Sequence, residues 1–353
     1  MIKSLFLTAT AAIMISATSC GQRQPQKAAT ETVYVVGEDR AAILWIDGTP
    51  QTLSDKHSYA ANAVFVTDDN IVYVTGRDRY IATLWKIQEG QTTKLAFAEN
   101  EMLSSMFATQ TGEVYVAGHI CTEGAESDHY DAACWKVSGT KITKMPLAPV
   151  QGAEEGTSAN ALFVTADGNV YVAGNSYCDD PDCEGEVFGI LWTNGTGQTL
   201  PGKESWANDV YASNNGTVYV VGSAAGSSGK ELAVMWKNKV LQYLTDGSEE
   251  NSKAESVFVT PNGDVYVAGN INSYTDQSAA VIWKNGTMQI LAKGRYSISS
   301  IYVTRNGDVY VAGNVGGRGY SLEAALWKNG VLQMLTNYGN REWDSRAVSV
   351  FVK

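Results

Sequence analysis

The sequence predicts an all-β fold, a seven-bladed β-propeller with four-stranded blades, and three repeated patterns carry that prediction. The pattern V-Y-V-x-G, or a close variant, begins at Val33, Val72, Val114, Val170, Val218, Val265 and Val309. A tryptophan closes a short run of small and apolar residues after each copy, at Trp45, Trp85, Trp135, Trp192, Trp236, Trp283 and Trp327. A third pattern, x-V-F-V-T and its variants, opens at Ala63, Ser105, Ala161, Asp209, Ser256, Ser300 and Ser349. Repeats of about 40 to 50 residues, each holding several short strands between turn signals, are the mark of propeller blades. The near-continuous apolar reading of VFV and VYV says that both faces of each sheet are covered, as stacking blade on blade achieves. The repeated tryptophans are then expected between blades.

Ahead of the repeats, residues 1–19 read as an export signal: Lys3, an apolar run from Leu5 to Ala17, and the small Thr18 and Ser19 before Cys20. The run is shorter than the roughly 20 apolar residues a spanning helix needs and is interrupted by Thr and Ser. Cys20 is the expected lipidation site of a bacterial lipoprotein. Residues 20–32 are polar and contain proline, which suits a tether. The domain is expected over 33–353.

The two ends of the repeat array are complementary. The first unit starts at Val33 with its second strand, while Val348 to Val352 form a lone first strand. Pairing the two closes the ring and removes the open edges of an unclosed array. Within each unit, turn dipeptides sort the loops. Asp167-Gly168, Asn215-Gly216, Asn262-Gly263 and Asn306-Gly307 join first to second strands, and Asp47-Gly48, Asn194-Gly195, Asn285-Gly286 and Asn329-Gly330 follow the tryptophans. These dipeptides favour tight hairpins. In a meander both sets fall on one face, which is short and uniform, and the longer, variable loops share the other. Variable loops on a rigid scaffold are where binding normally resides.

The variable face therefore supplies the candidate contact residues. Trp343, with Tyr338, Arg341 and Arg346 around it, is the leading candidate, and Trp206 is the second. Tyr80, Arg295 and Tyr296 join them, since Tyr, Trp and Arg are enriched where proteins make contacts. Asn62, Asn160, Asn208 and Glu255, with Ser104 and Ser299, stand at the variable-face end of each first strand and are expected to ring the mouth of the central channel. Such a ring offers donors and acceptors to a sugar or peptide, or satisfies the crowding and water of a channel mouth.

With Cys20 lipidated, Cys121, Cys134, Cys178 and Cys183 remain, an even number that favours disulfides in an exported chain. The expected local pairs are Cys121 with Cys134 and Cys178 with Cys183. Asp179, Asp180 and Asp182 lie between the second pair and are calcium candidates, although the loop lacks EF-hand spacing. His119 and His129, with Asp128 and Asp131, could bind a divalent metal or act as acid and base, or be ordinary polar loop residues. No cofactor is otherwise implied.

The pattern A-x-x-W-x-N-G-x-x-x-x-L followed by A-x-[VI]-[FY]-V-T-x-[ND]-G-x-V-Y-V-x-G resembles predicted propeller lipoproteins of Bacteroidota and, more distantly, the secreted HAF-repeat family. The best matches are Trp283-Lys284-Asn285-Gly286 and Trp327-Lys328-Asn329-Gly330. The resemblance implies a propeller outside the cytoplasm and brings no catalytic residues with it. With a formal net charge of −11, one unit more negative once Lys3 leaves, a basic face for nucleic acid is not expected. No G-x-S-x-G, H-E-x-x-H or P-loop is present. The expected protein is a monomeric outer-membrane lipoprotein, periplasmic or surface-exposed, that recognises a glycan, peptide or partner protein through the variable face. The alternative is a glycan-active lyase or glycosidase with an acidic pair drawn from distant blades.

Overall fold

The structure is a computed structural model that describes residues 31–54, 60–123, 128–151, 156–176, 187–248, 251–272, 277–316, 321–336 and 344–353. Thr32–Lys353 form one compact unit. It holds seven antiparallel sheets of four strands each, arranged as the blades of a propeller. All seven second strands begin at the valine of their V-Y-V-x-G copy, from Val33 to Val309.

Blade 1 is assembled from both ends of the unit. Ser345–Val352 pairs with Val33–Asp39, which continues to Ala42–Ile46 and Thr49–Thr52. Blades 2 to 7 each run outward in chain order. Their innermost strands are Ala61–Val66, Glu101–Ala108, Thr157–Val164, Trp206–Ala212, Ser252–Val259 and Tyr296–Val303. With Ser345–Val352 these strands neighbour one another in a closed ring.

The seven repeat tryptophans are fully buried and lie in apolar clusters that join consecutive blades. Trp135 of blade 3, for example, packs with Ala63, Leu84 and Phe97 of blade 2, the phenylalanine meeting it edge-on at 5.8 Å. Each blade on its own exposes two apolar faces, so burial of the tryptophans requires the neighbour.

Every innermost strand contains one β-bulge, at Asn62, Ser104, Asn160, Asn208, Glu255, Ser299 and Val348. The bulge brings the carbonyl of its strand against the glycine of V-Y-V-x-G. A Cβ on Gly222 would sit 1.8 Å from the Trp206 carbonyl oxygen, and one on Gly118 or Gly174 would meet Met102 or Ser158 at the same distance. That contact is why the motif ends in glycine.

One sequence expectation is corrected by strand register. Cys121 lies opposite Tyr130, and Cys134 lies opposite Ala117. The two cysteines are therefore four residues out of step, about 13 Å along the ladder, whereas a disulfide needs Cα atoms within about 7 Å. Both are free thiols, and burial pushes the Cys134 thiol up to about 12. The second expected pair, Cys178 with Cys183, lies outside the described residues, as do the leader, Cys20 and the tether up to residue 30, whereas Thr32, expected in the tether, already pairs with Lys353 through the backbone.

Candidate binding face and axial channel

On the short-turn face the repeated polar residues bond to one another. In each Asn-Gly turn after a tryptophan both residues have positive φ, as in Asn285 (49°) and Gly286 (81°), the geometry that glycine and asparagine tolerate. The asparagine side chain then accepts the first N–H of the second strand, with Val265 N to Asn285 Oδ1 at 2.9 Å and Val309 N to Asn329 Oδ1 at 2.8 Å. Its amide donates to the aspartate before that strand, Asn285 to Asp264 at 2.9 Å and Asn329 to Asp308 at 2.8 Å. Lys328 completes the set by bonding Asp308 at 3.1 Å while lying 4.9 Å from the centre of the Tyr310 ring. The hydrogen bonds to Tyr310 and Asp308 raise the Lys328 ammonium above its ordinary value. The W-K-N-G and D-V-Y signatures thus hold the hairpins in register.

The axial side of the inner strands is built differently. An innermost strand has a free edge, and its backbone groups need partners. The bulge asparagines provide some of them. Asn160 Nδ2 donates to the Ala207 carbonyl at 2.9 Å and Asn208 Nδ2 to the Ala254 carbonyl at 2.9 Å, each reaching the next blade just before its own bulge; Asn62 does the same to Leu103 at 2.5 Å. One residue further on, Ser105, Ser256 and Ser300 accept the N–H of Leu162, Ile301 and Val350 at 3.3 Å. Asp209 takes this role in blade 5. It accepts from Val257 N and Ser256 Oγ at 2.9 Å, and from Val210 N at 2.8 Å. Burial outweighs those bonds and pushes its carboxyl up to about 6.

Of the sequence candidates, Asn62, Asn160, Asn208 and Glu255 therefore share one level around the axis, and the three asparagines tie blades together. Glu255 accepts one bond from a described side chain, Asn208 Nδ2 at 3.3 Å. Burial pushes it up to about 7, against the lowering influence of Lys253. The charges that bear on it are Lys253 and Glu231, and Asp209 bonds the two residues that follow it, Ser256 and Val257.

The remaining candidates are dispersed over the variable face. Trp206 opens the inner strand of blade 5 and is half-buried. Tyr296 is half-buried with its ring edge-on to Trp327 at 5.8 Å, a packing role. Arg295 beside it is exposed. Tyr80, in the turn between the second and third strands of blade 2, is 70 % exposed, and its carbonyl accepts from Arg77 at 3.1 Å. Arg346 bonds Glu38 at 3.4 Å and Asp344 at 3.3 Å. Trp343, Arg341, Tyr338 and the calcium candidates Asp179, Asp180 and Asp182 lie outside the described residues.

The two histidines also separate. His119 lies opposite Ala132 and His129 opposite Thr122, so they are three residues apart on the ladder. His129 bonds Asp131 at 3.2 Å, whereas His119 sits 3.1 Å from the Met102 sulfur and edge-on to Tyr130 at 5.2 Å. Burial and nearby Arg77 lower the His119 pKa. Among the described residues no group of three or more His, Cys, Asp and Glu side chains could hold a metal.

One feature of the channel escaped the sequence reading. Phe65, Phe107, Phe163, Tyr211, Phe258, Tyr302 and Phe351, one from each inner strand, form a closed ring of aromatic side chains. Neighbouring centroids are 4.5 to 5.5 Å apart and the planes are mutually tilted. All seven are half-buried. Each lies three residues past its bulge, so this ring sits about 10 Å along the strand from the polar one. The signal in the sequence was the aromatic third letter of x-V-F-V-T.

No protein-family model and no curated protein matches the sequence. Similarity to solved structures extends to the fold. A puromycin hydrolase matches with a TM-score of 0.59 at 11% identity, covering 89% of this chain and 53% of that one. An acylaminoacyl peptidase of Pyrococcus horikoshii matches with a TM-score of 0.54 at 15% identity, covering 87% and 51%. A protein from Lactobacillus plantarum matches with a TM-score of 0.53 at 11% identity, covering 92% and 99%. The chain spans about half the length of the hydrolase and the peptidase.

Proposed function

We propose that this protein is an exported recognition module, lipid-tethered through Cys20 in the cell envelope, that takes a glycan, peptide or partner protein on its variable face. The supporting observation is the asymmetry between the two faces. The repeated asparagine, aspartate and lysine side chains of the short-turn face bond to one another, which leaves the loops of the opposite face as the part that differs from blade to blade. Arg295 and Tyr80 are exposed there, and Trp343 with Arg341 belongs to the same loop set. An aromatic face beside a guanidinium suits stacking on a sugar or a partner side chain together with bonding to its carboxylates or hydroxyls. The leader and Cys20 are the sequence support for export and anchoring.

A glycan and peptide array probed with the protein tests this reading. Trp343→Ala is expected to weaken the ligand so found by about 2 kcal/mol or more, as loss of a contact hot spot does. Asn262→Ala on the short-turn face is expected to leave it unchanged. Equal binding by parent and Trp343→Ala, or selective loss in Asn262→Ala, would refute the assignment to the variable face. For the anchor, Cys20→Ala is expected to abolish partition with membranes.

A further inference from the structure

The outer wall of the propeller has a composition that the rest of the chain does not share. From each repeat tryptophan to the end of its outermost strand run residues 45–52, 85–96, 135–145, 192–199, 236–243, 283–293 and 327–334. These segments hold ten of the chain's 26 basic residues and two of its 37 acidic ones. The rim is therefore basic on a protein whose formal net charge is −11. In blades 5 to 7 its segments carry five lysines and no acid. Lys284 and Lys328 pair with Asp264 and Asp308, at 3.5 and 3.1 Å. Lys237, Lys239 and Lys293 are exposed, and none of the three meets an acid among the described residues.

The same three blades present the apolar side chains. Of the eight large hydrophobic residues exposed among the described residues, six lie on the outermost strands of blades 5 to 7: Val240, Tyr243, Met288, Ile290, Val331 and Leu332. The corresponding strands of blades 1 to 4, Thr49–Thr52, Gln91–Ala96, Lys141–Met145 and Thr196–Thr199, contribute none. Strand register joins the two properties. Val240 stands opposite Lys237 and Val331 opposite Lys328, so each valine shares a sheet face with an ammonium group. Apolar groups beside lysines, with no acid among them, match the headgroup zone of an anionic bilayer. The apolar side chains enter the acyl boundary, and the lysine stems lie along them while their ammonium groups reach the phosphates.

We propose that the outer strands of blades 5 to 7 form a docking surface for an anionic lipid bilayer. The curvature of the wall suits three blades. Strands about 4.8 Å apart put the outermost one roughly 24 Å from the axis, and blades of a seven-fold ring are about 51° apart, so a plane touching blade 6 passes about 9 Å outside blades 5 and 7. The interfacial zone of a bilayer is about 5 to 10 Å deep, which lets blade 6 lead with Met288 and Ile290 and its two neighbours follow. Docked in this way the propeller lies on its side and both loop faces stay in water. The proposal goes beyond the variable-face reading and does not require the lipid on Cys20.

Vesicle sedimentation of residues 32–353, which hold all seven blades and close the ring by themselves, is the test, since neither the leader nor Cys20 can then retain the protein on lipid. In about 0.1 M salt, partition onto vesicles of phosphatidylglycerol and phosphatidylcholine is expected to exceed partition onto phosphatidylcholine alone at least about tenfold, and about 1 M salt is expected to abolish the difference. Ile290→Ser/Val331→Ser and Lys237→Gln/Lys239→Gln are each expected to weaken the anionic partition about tenfold, with unchanged melting curves. Lys141→Gln/Lys144→Gln, on the basic but polar rim of blade 3, is expected to change it less than about twofold. No sedimentation with anionic vesicles, equal partition onto both lipids, or a blade 3 pair as sensitive as the blade 5 pair would each overturn the proposal. A dimer that dissociates in Ile290→Ser/Val331→Ser, without vesicle binding, would overturn it too and give the rim to a second copy of the chain. Salt-washed membranes retain the Cys20 anchor alone, and array binding depends on Trp343, so failure here would leave both earlier readings standing.

Discussion

The innermost and outermost strands of the blades carry opposite burdens although each is an edge of its sheet. The outer strands, such as Thr287–Lys293 and Val331–Met334, are largely exposed and leave their edges to water. The inner strands converge on an axis, where each borders its neighbours from the adjacent blades. Their free backbone groups are capped from the preceding blade by asparagine amides and by serine or aspartate oxygens. The difference teaches that an edge strand needs specific side chains where the chain itself crowds out solvent, and tolerates many where water can do the bonding.

Substitutions along the radius sharpen that comparison. The largest effect is expected from Gly222→Ala, because its Cβ would lie 1.8 Å from the Trp206 carbonyl oxygen at the bulge. Relief requires moving the inner strand of blade 5, so a loss of about 4 kcal/mol or failure to fold is expected. Gly286→Ala, in an outer hairpin with positive φ and no atom within 4 Å of the new Cβ, is expected to cost about 1 kcal/mol. Similar losses for the two in urea titrations would show that the bulge contact is not the constraint.

Trp283→Ala removes a fully buried ring midway along the radius. A loss of about 3 to 5 kcal/mol is expected, a large part of a typical domain's stability. A loss under about 1 kcal/mol would mean that blade-to-blade packing does not depend on it.

Asp209→Ser tests the inter-blade ties through pH. Burial raises the Asp209 carboxyl from 3.8 to about 6. A raised acid is stabilising in its protonated form, so its contribution is fully present below the unfolded value near 4 and is lost as pH rises through about 6. Serine already occupies the equivalent positions in blades 3, 6 and 7 and does not titrate. The stability of the variant relative to the parent is therefore expected to improve by about 1 to 3 kcal/mol between pH 4 and pH 7.5. Denaturant midpoints whose difference stays constant over that range would contradict the burial of a charged Asp209. Glu255, raised to about 7, is present in parent and variant alike, so its loss with rising pH cancels in the difference.

The smallest effect is expected at the rim. Val331 is 71 % exposed on the outermost strand of blade 7, and Val331→Thr keeps the β-branch. A change within about 0.5 kcal/mol is expected from thermal melts. A larger loss would show that the rim is covered.

Much of the fold was legible because blades are written in local code. The valine of each V-Y-V-x-G copy is where a second strand begins, and the Asn-Gly turns have the positive φ values that the dipeptide announces. Asn62, Asn160, Asn208 and Glu255 were legible as equivalent positions of the inner strands, yet nothing local said that these are bulges or that the asparagine amides would reach other blades. Asn160 bonds a carbonyl 47 residues away. The cysteine pairing failed for a related reason. Proximity in one hairpin suggested a bond between Cys121 and Cys134, and strand register set them four residues out of step.

By itself the sequence determined the number of blades, the strand starts, the complementary ends that close the ring, and the two unequal faces. Each of these follows from periodicity and turn dihedrals within a few residues. Tertiary structure alone decided that seven aromatic residues, 42 to 56 positions apart along the chain, would meet in one circuit, and that asparagine at a bulge would serve the neighbouring blade. Those contacts depend on the radius at which the ring closes, and that distance is set by how seven sheets pack together, not by any one of them.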